Sequence, residues 1–244
     1  MNIIVEEVAD SRYIPAHDRS HRQRLGSQGF ARAARRLGAQ IRSGVEATGL
    51  VIENGRVCGV QTKDGVLRSG NVVNAAGVWA PELVAPYGVS LPIRPRRGQI
   101  LVTEPLPTML RHVVLCACYL IAKYHPEELD PTDRQHRLGV GLAVEQTAHG
   151  GLLIGSTREF AGFDRSTTLA GIEAVARHAR RILPALAGVN IIRTFAGLRP
   201  HTPDGLPILG PVAELPGLIM AAGHEGDGIA LAPVTGKKVA GYLE

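Results

Sequence analysis

Short extended segments separated by tight turns dominate residues 49–77, and they constrain the fold more than any other feature of the sequence. Asn54-Gly55 is a pair that favours a two-residue hairpin, because both residues tolerate positive backbone angles. Asp64-Gly65 marks a second turn. The meander leads into the run 72–77, which is apolar at nearly every position, as a strand buried on both faces should be. This order of turns and extended segments predicts an antiparallel meander followed by a buried strand of a layered sheet.

Helical periodicity surrounds these strands. Apolar residues recur at i, i+3, i+4 and i+7 between Gly29 and Leu37, with Gly38 as the expected C-cap. Residues 20–27 are predicted to be polar coil. Ser166 is the expected N-cap of a helix of about sixteen residues. Residues 228–243 predict a final helix.

An antiparallel block is predicted between residues 91 and 199. Residues 98–104 form one expected strand, and residues 140–147 and 152–157 form a hairpin around a glycine-rich turn. We therefore predict an α/β (α+β) fold, in which a partial Rossmann-like, nucleotide-binding layer carries an inserted antiparallel sheet.

The charge of the chain comes largely from a run of arginines near its start. The formal net charge is +5. No aromatic interleaving and no nucleic-acid-binding motif accompanies the arginines, so we interpret them as a solvated surface and expect no nucleic-acid partner. The run consists of Arg12, Arg19, Arg22, Arg24, Arg32, Arg35, Arg36 and Arg42.

The three cysteines are Cys58, Cys116 and Cys118. An odd count without a CxxC pair argues against a disulfide framework and against a zinc site. On a strand Cys116 and Cys118 would share one face, which favours a structural role. We expect no metal site. Acidic residues near the start and the absence of a long apolar run favour a cytoplasmic chain without a transmembrane segment.

Three segments are candidates for chemistry. In the segment 72–80 an apolar strand ends in Ala-Ala-Gly at 75–77, which permits close approach by a ligand or forms a tight corner. The proline-rich segment 197–210 holds Arg199 on stiff backbone, where its guanidinium suits a carboxylate. A surface ion pair with Asp204 or Glu225 is the alternative role for that arginine.

The third segment, 220–233, reads as a strand, a glycine-rich loop and a helix. The N-terminus of such a helix presents free N–H groups and a partial positive charge to an electron-rich ligand. A structural turn is the alternative. Pro233 favours a helix start close to itself.

Together these segments resemble the D-amino-acid oxidase (DAO) family, in particular its glycine oxidase, sarcosine oxidase and hydrogen cyanide synthase branch. The resemblance covers about residues 29–244, and residues 95–105 and 151–157 match the family's substrate-domain strands. Its most specific part is 197–210 followed by 223–233.

This resemblance implies a cofactor, FAD, and an oxidation of the C–N bond of a small amino acid or secondary amine, with hydride passing to the flavin. It implies an FAD-binding domain at 1–90 and 200–244 and a substrate-binding domain at 91–199. Arg199 would bind the substrate carboxylate, and no side-chain base is needed. The residues implied to bind the cofactor are Ala47, His224, Glu225, Gly226, Asp227, Gly228 and Ile229.

The sequence departs from the family in two respects. It contains no G-x-G-x-x-G, the phosphate-binding turn of the family's first βαβ unit. Gly226 stands where some glycine oxidases have a second arginine. Two hypotheses follow: an enzyme, as a truncated chain or a subunit whose nucleotide unit comes from a partner subunit, or a non-catalytic fragment or interaction protein that no longer binds FAD. We also expect the strands around Val73 and Met220 to have an exposed apolar edge, which favours poor solubility or oligomers.

Overall fold

The computed structural model describes residues 3–6, 19–130 and 132–244. The arginine run begins outside the described residues, at Arg12. The strands are β1 (Ile3–Glu6), β2 (Gln40–Ser43), β3 (Ala47–Glu53), β4 (Arg56–Thr62), β5 (Gly65–Arg68), β6 (Val72–Asn74), β7 (Arg94–Thr103), β8 (Val114–Leu115), β9 (Ala143–Gln146), β10 (Leu152–Gly155), β11 (Ile191–His201), β12 (Ile208–Pro211) and β13 (Leu218–Ala222).

The α-helices are α1 (Arg19–Arg36), α2 (Ala80–Val84), α3 (Ala117–Tyr124), α4 (Arg134–Arg137), α5 (Leu169–Ile182) and α6 (Gly228–Gly241). Within the described part of the chain, none of them has both the length and the apolar character needed to cross a bilayer.

The chain divides into two compact units. The first contains Ser20–Arg94 and Pro200–Glu244, and the second contains Pro95–Arg199. The predicted roles of these segments in binding FAD and substrate stay predictions.

The first unit is built on small sheets. The meander forms the sheet β3-β4-β5, and a parallel pair, β13 and β6, forms a second sheet with β12. The hairpin at Asn54-Gly55 is confirmed: both residues have positive φ, 51° and 73°. A buried apolar cluster that includes Leu50, Val57 and Leu218 joins the two sheets.

The strand β6 is less buried than we predicted. Val72 and Asn74 are buried, whereas Val73 is 37% exposed. The expectation that both faces of this strand are covered is therefore wrong for the Val73 face. The exposure arises because alternate residues of a strand point to opposite faces, and the described residues cover only one of them well.

The second unit is an antiparallel sheet in the order β11-β7-β10-β9-β8. The hairpin of β9 and β10 is as predicted. Helix α5 packs on this sheet through Val175 and Ala179, which join Val144 and Ile154 in one buried cluster. These sheets and helices confirm the mixed α/β (α+β) class with an inserted antiparallel block.

Two helix boundaries were predicted incorrectly. Helix α1 begins at Arg19, so residues 20–27 are helical rather than coil. Helix α5 begins after Thr168, whose hydroxyl accepts a hydrogen bond from the N–H of Gly171 at 3.1 Å, so Ser166 is not its N-cap. The C-cap at Gly38 has the positive φ, 92°, that favours glycine.

Two further predictions failed at helices. Cys116 and Cys118 do not share a strand, because Cys116 is the N-cap residue of α3 and Cys118 lies in its first turn. Pro233 lies inside α6, which begins at Gly228. The proline removes only one N–H from the helix.

A buried polar network fixes the second unit internally. The guanidinium of Arg97 lies 3.0 Å from Glu159 and also pairs with Asp164. The side-chain amide of Gln99 donates to Glu159 at 2.8 Å and its oxygen accepts from the N–H of Thr168 at 2.8 Å. The network thereby links β7, the segment after β10 and the N-terminus of α5.

The charge of Arg97 is stabilised by this network. Burial alone would lower its pKa, but the hydrogen bond and charge of Glu159, with help from Asp164, raise the pKa above its ordinary value. Both side chains of the Arg97–Glu159 pair are largely buried, with 6% and 13% exposed. Removing either partner therefore leaves a charge with little access to water.

We expect Glu159→Gln to lower the free energy of unfolding by about 3 kcal/mol, because a buried arginine loses a charged partner. The matched control is Glu46→Gln, which breaks the exposed ion pair of Lys63 and Glu46 and should cost less than about 1 kcal/mol. Urea unfolding of both variants measures the difference. Equal losses would show that the buried network is not a special source of stability.

Candidate functional site

The C-terminal strand, loop and helix form the centre of the candidate site in the first unit. Strand β13 ends at Ala222 and is followed by Gly223, which has a φ of 84°. A Cβ at this position would lie 2.8 Å from the side-chain methyl of Thr202. Thr202 is itself buried and donates its hydroxyl proton to the carbonyl of Leu206 at 2.9 Å. Only glycine fits here, so the two loops pack closely together.

The loop after Gly223 is fixed at both ends. The N–H of Glu225 donates to the carbonyl of Pro200 at 3.1 Å, and the N–H of Asp227 donates to the carbonyl of His224 at 3.0 Å. Nε2 of His224 lies 2.9 Å from the hydroxyl of Thr235 on α6. Glu225 has a φ of 52°, which is uncommon for a residue with a Cβ.

Helix α6 begins at Gly228 with Asp227 as its N-cap residue, but the side chain of Asp227 makes no capping hydrogen bond. The first-turn N–H groups of a helix have no partner within the helix itself. They can therefore donate to a ligand, with the partial positive charge of the helix behind them.

The small-residue corner after β6 is held by a buried asparagine. The side-chain amide of Asn74 donates to the carbonyl of Ala80 at 2.9 Å, and its oxygen accepts from the N–H of Ala76 at 3.2 Å. Gly77 has a φ of 58°, so the chain turns sharply here. The corner is thereby rigid and free of large side chains.

The corner and the start of α6 border one cavity of about 330 Å³. Its walls are mostly apolar and small. The lining residues are Val73, Ala75, Ala221, His224, Gly228, Ala232, Thr235, Gly236 and Val239. A ligand in this cavity would lie beside the N–H groups at the start of α6, which suit an electron-rich ring edge such as that of a flavin.

The predicted cofactor residues fall in two places. Six of them are consecutive and form the loop and the first turn of α6. They are His224, Glu225, Gly226, Asp227, Gly228 and Ile229. Ala47 is the first residue of β3, pairs with Thr62 and belongs to a different sheet. The structure thus brings the loop residues together and places Ala47 separately in the same unit.

Arg199 lies on β11 in the second unit and is half-buried. Its Nη2 donates to the hydroxyl of Ser156 at 2.6 Å, and its Nη1 donates to the carbonyl of Thr157 at 3.3 Å. Both of these partners are neutral oxygens. A Cβ on Gly98 would lie 2.3 Å from the guanidinium, so Arg199 rests directly on glycine backbone.

Three further residues that shape these sites were not predicted from the sequence. Asn74 could have been noticed as a polar residue in an otherwise apolar run. Gly98 carried no local signal, because its contact with Arg199 joins positions that are distant in sequence. Thr235 likewise contacts His224 only through the return of α6.

Comparisons with known proteins match this chain to one family of oxidoreductases. The family model described as "DAO: FAD dependent oxidoreductase" matches residues 18–242. Hydrogen cyanide synthase subunit HcnC of Pseudomonas aeruginosa is 38% identical over 210 residues, which are 85% of this chain and 45% of that protein. Glycine oxidase of Pseudomonas putida is 35% identical over 195 residues, 80% of this chain and 47% of that protein.

A solved structure, L-proline dehydrogenase from P. horikoshii, superimposes with a TM-score of 0.75 at 30% identity, and the match covers 89% of this chain and 54% of that one. The chain therefore spans about half the length of the curated relatives that it matches.

Burial lowers the pKa of His224 below its ordinary value of 6.5. The unfolded chain then takes up a proton at a higher pH than the folded protein does. The stabilising contribution is complete above pH 6.5 and is lost as the pH falls through the lowered pKa. We expect His224→Gln to reduce the loss of stability between neutral and mildly acidic pH, as measured by thermal unfolding. The exposed His112→Gln should leave that loss as in the parent, and parallel curves for all three proteins would contradict the prediction.

Proposed function

The chain belongs to the DAO family of FAD-dependent oxidoreductases, and we propose that it contributes the flavin-binding loop and the substrate carboxylate site of an enzyme that oxidises the C–N bond of a small amino acid or secondary amine. The observation that carries the proposal is the cavity bordered by both the small-residue corner and the uncapped start of α6. The product would be an imine.

FAD, when bound, supplies the redox chemistry by accepting a hydride, and the protein binds and orients the reactants. The residues proposed for the flavin are His224, Glu225, Gly226, Asp227, Gly228 and Ile229, with Ala47 on the adenine side. The uncapped N–H groups of α6 would stabilise negative charge on the ring edge. The contact of His224 with Thr235 would keep the loop in position.

Arg199 is proposed to bind the substrate carboxylate. Its guanidinium offers a planar fork, which matches a carboxylate through two parallel hydrogen bonds. Ser156 and Thr157 support it from one side, and Gly98 leaves room for it. We propose that the substrate is an amino acid or a related amine that carries one carboxylate.

The nucleotide end of FAD is proposed to be held by a βαβ unit with the G-x-G-x-x-G turn that residues 1–244 do not contain. The exposed side chain of Val73 supports this proposal, because parallel strands such as β6 are normally covered on both faces. The unit would come from a further polypeptide segment or from a partner subunit, and an uncovered face of β6 would favour oligomers.

A cytoplasmic location is proposed because Cys58, Cys116 and Cys118 are all free thiols in the structure, as expected in a reducing compartment. The second candidate function is a non-catalytic interaction protein. The specific observation that favours it is the exposed apolar side chain of Val73 on β6, on a face of the kind that contacts a partner protein.

Flavin binding separates these functions. If this chain contacts mainly the ring, it should quench the fluorescence of riboflavin and FAD with similar, weak affinity. A strong preference for FAD would show that the chain holds the dinucleotide by itself, contrary to the proposed division of the site. The weak end of specific binding corresponds to a dissociation constant of about 1 mM. If about 1 mM protein quenches the fluorescence of neither flavin, the flavin-binding proposal is rejected and the non-catalytic function is favoured.

The carboxylate site has a matched pair of glycines for its test. Gly98→Ala should displace the guanidinium of Arg199 and weaken binding of a carboxylate probe, labelled glycine, by about tenfold or more, since a charged hydrogen bond contributes about 1.5–3 kcal/mol. Gly197→Ala, where a Cβ meets open space, should leave binding unchanged. Arg199→Lys should also weaken binding, because it loses the fork. Titration followed by NMR measures all three, and equal affinities for the two alanine variants would reject the site.

A further inference from the structure

A cluster of two cysteines and one histidine in the second unit is independent of the proposed flavin and carboxylate chemistry. Donor atoms of Cys116, Cys118 and His178 all lie within 4.8 Å of one another. The sequence analysis expected no metal site here, because it treated the two cysteines alone. Helix α5 brings His178 to them from a distant part of the sequence.

The two sulfurs meet because of the way α3 begins. Cys116 has extended backbone, with φ −87° and ψ 156°, while Cys118 lies within the first helical turn. The sulfurs of these two residues lie within 4.8 Å of each other. Burial, followed by the neighbouring Cys116, raises the pKa of the Cys118 thiol, so this proton is displaced only when a cation binds.

Cys116 is held in place by backbone. Its sulfur accepts a hydrogen bond from the N–H of Leu142 at 3.2 Å, and its own N–H donates to the carbonyl of Leu142 at 3.0 Å. A backbone donor to sulfur stabilises negative charge on it, so this contact suits a metal-bound thiolate.

The imidazole of His178 supplies a second, independent observation. The residue is only 3% exposed, and within the described part of the chain its Nε2 is buried without a hydrogen-bond partner. Its Nδ1 lies 3.1 Å from a guanidinium nitrogen of Arg181, which is an exposed residue. Burial, followed by the charges of Arg181 and His136, lowers the pKa of His178. A lowered pKa favours the neutral ring, which is the form that binds a metal.

We propose that Cys116, Cys118 and His178 bind one thiophilic divalent cation, Zn²⁺, through two thiolates and one imidazole nitrogen. Both thiols lose their protons to solvent as the ion binds. Donors around tetrahedral zinc lie roughly 3.3–3.8 Å apart, given bond lengths of 2.0–2.3 Å. Since the donor atoms already lie within 4.8 Å of one another, the cluster needs to contract by no more than about 1–1.5 Å. Arg181 can turn away from the ring, because its side chain reaches solvent. A fourth position stays open to water.

The ion would join two segments of the second unit, the start of α3 and the middle of α5. Cys116 and Cys118 are half-buried, which gives the ion a route from solvent. Soft thiolate ligands with one imidazole favour zinc over magnesium or calcium, which prefer oxygen.

The test uses Co²⁺ as a spectroscopic probe and Zn²⁺ as its competitor, with the full chain kept reduced by a phosphine. The parent protein should bind one Co²⁺ with the visible bands of tetrahedral coordination and a sulfur-to-cobalt charge-transfer band, and Zn²⁺ should displace it. The matched control is Cys58→Ser, which removes the third thiol, in the other unit, and should leave the spectrum unchanged.

Cys116→Ser, Cys118→Ser and His178→Gln should each weaken Zn²⁺ binding more than the ~10–100-fold that loss of an outer-shell partner costs. Zn²⁺ should raise the melting temperature of the parent but not of the cysteine variants. The proposal is overturned if the parent shows no charge-transfer band, or if either cysteine variant keeps both the band and the affinity. Since serine is close in size to cysteine, these two variants keep the test valid even if His178→Gln does not fold.

Discussion

The buried charge of Arg97 is the constraint on which the second unit depends. An isolated buried guanidinium would be very unfavourable, so the fold must surround it with partners. Glu159 and Asp164 provide charge, and Gln99 orders Glu159 through its amide. The hydroxyl of Thr157 accepts from the N–H of Gln99 at 3.1 Å and donates to Glu159 at 2.6 Å. The carbonyl of Thr157 also accepts a hydrogen bond from Arg199. The candidate carboxylate site is therefore built directly on the network that neutralises Arg97.

In the first unit the corresponding constraint is steric. Gly223 must have no side chain, because Thr202 occupies the space a Cβ would need. Asn74 must be polar, because it bonds the backbone of the corner that follows it. Both residues act on backbone, and together they leave an apolar space beside the start of α6. Of the titratable residues in the loop that follows Gly223, His224 is the one whose pKa burial lowers.

Local signals predicted the parts of the fold that local chemistry decides. The hairpin at Asn54-Gly55 follows from two residues that tolerate positive φ, and the loop at Gly223 follows from its glycines. The N-cap of α5 could not be predicted from local sequence. Thr168 is held at this position by Gln99, which lies far away in sequence and whose side-chain oxygen accepts a hydrogen bond from the N–H of Thr168. The early part of α1 carries no apolar periodicity, so pattern alone could not extend the helix. Cys116 and His178 come together through tertiary packing, which cannot be deduced from the spacing of residues in the sequence.

The contact of Arg199 with Gly98 couples two positions in evolution. A side chain at 98 and a cation at 199 compete for the same volume, so substitutions there cannot be acquired independently. Loss of the arginine would free this volume for a side chain at 98. In the reverse order, a side chain at 98 would crowd the guanidinium and displace it from Ser156 and Thr157.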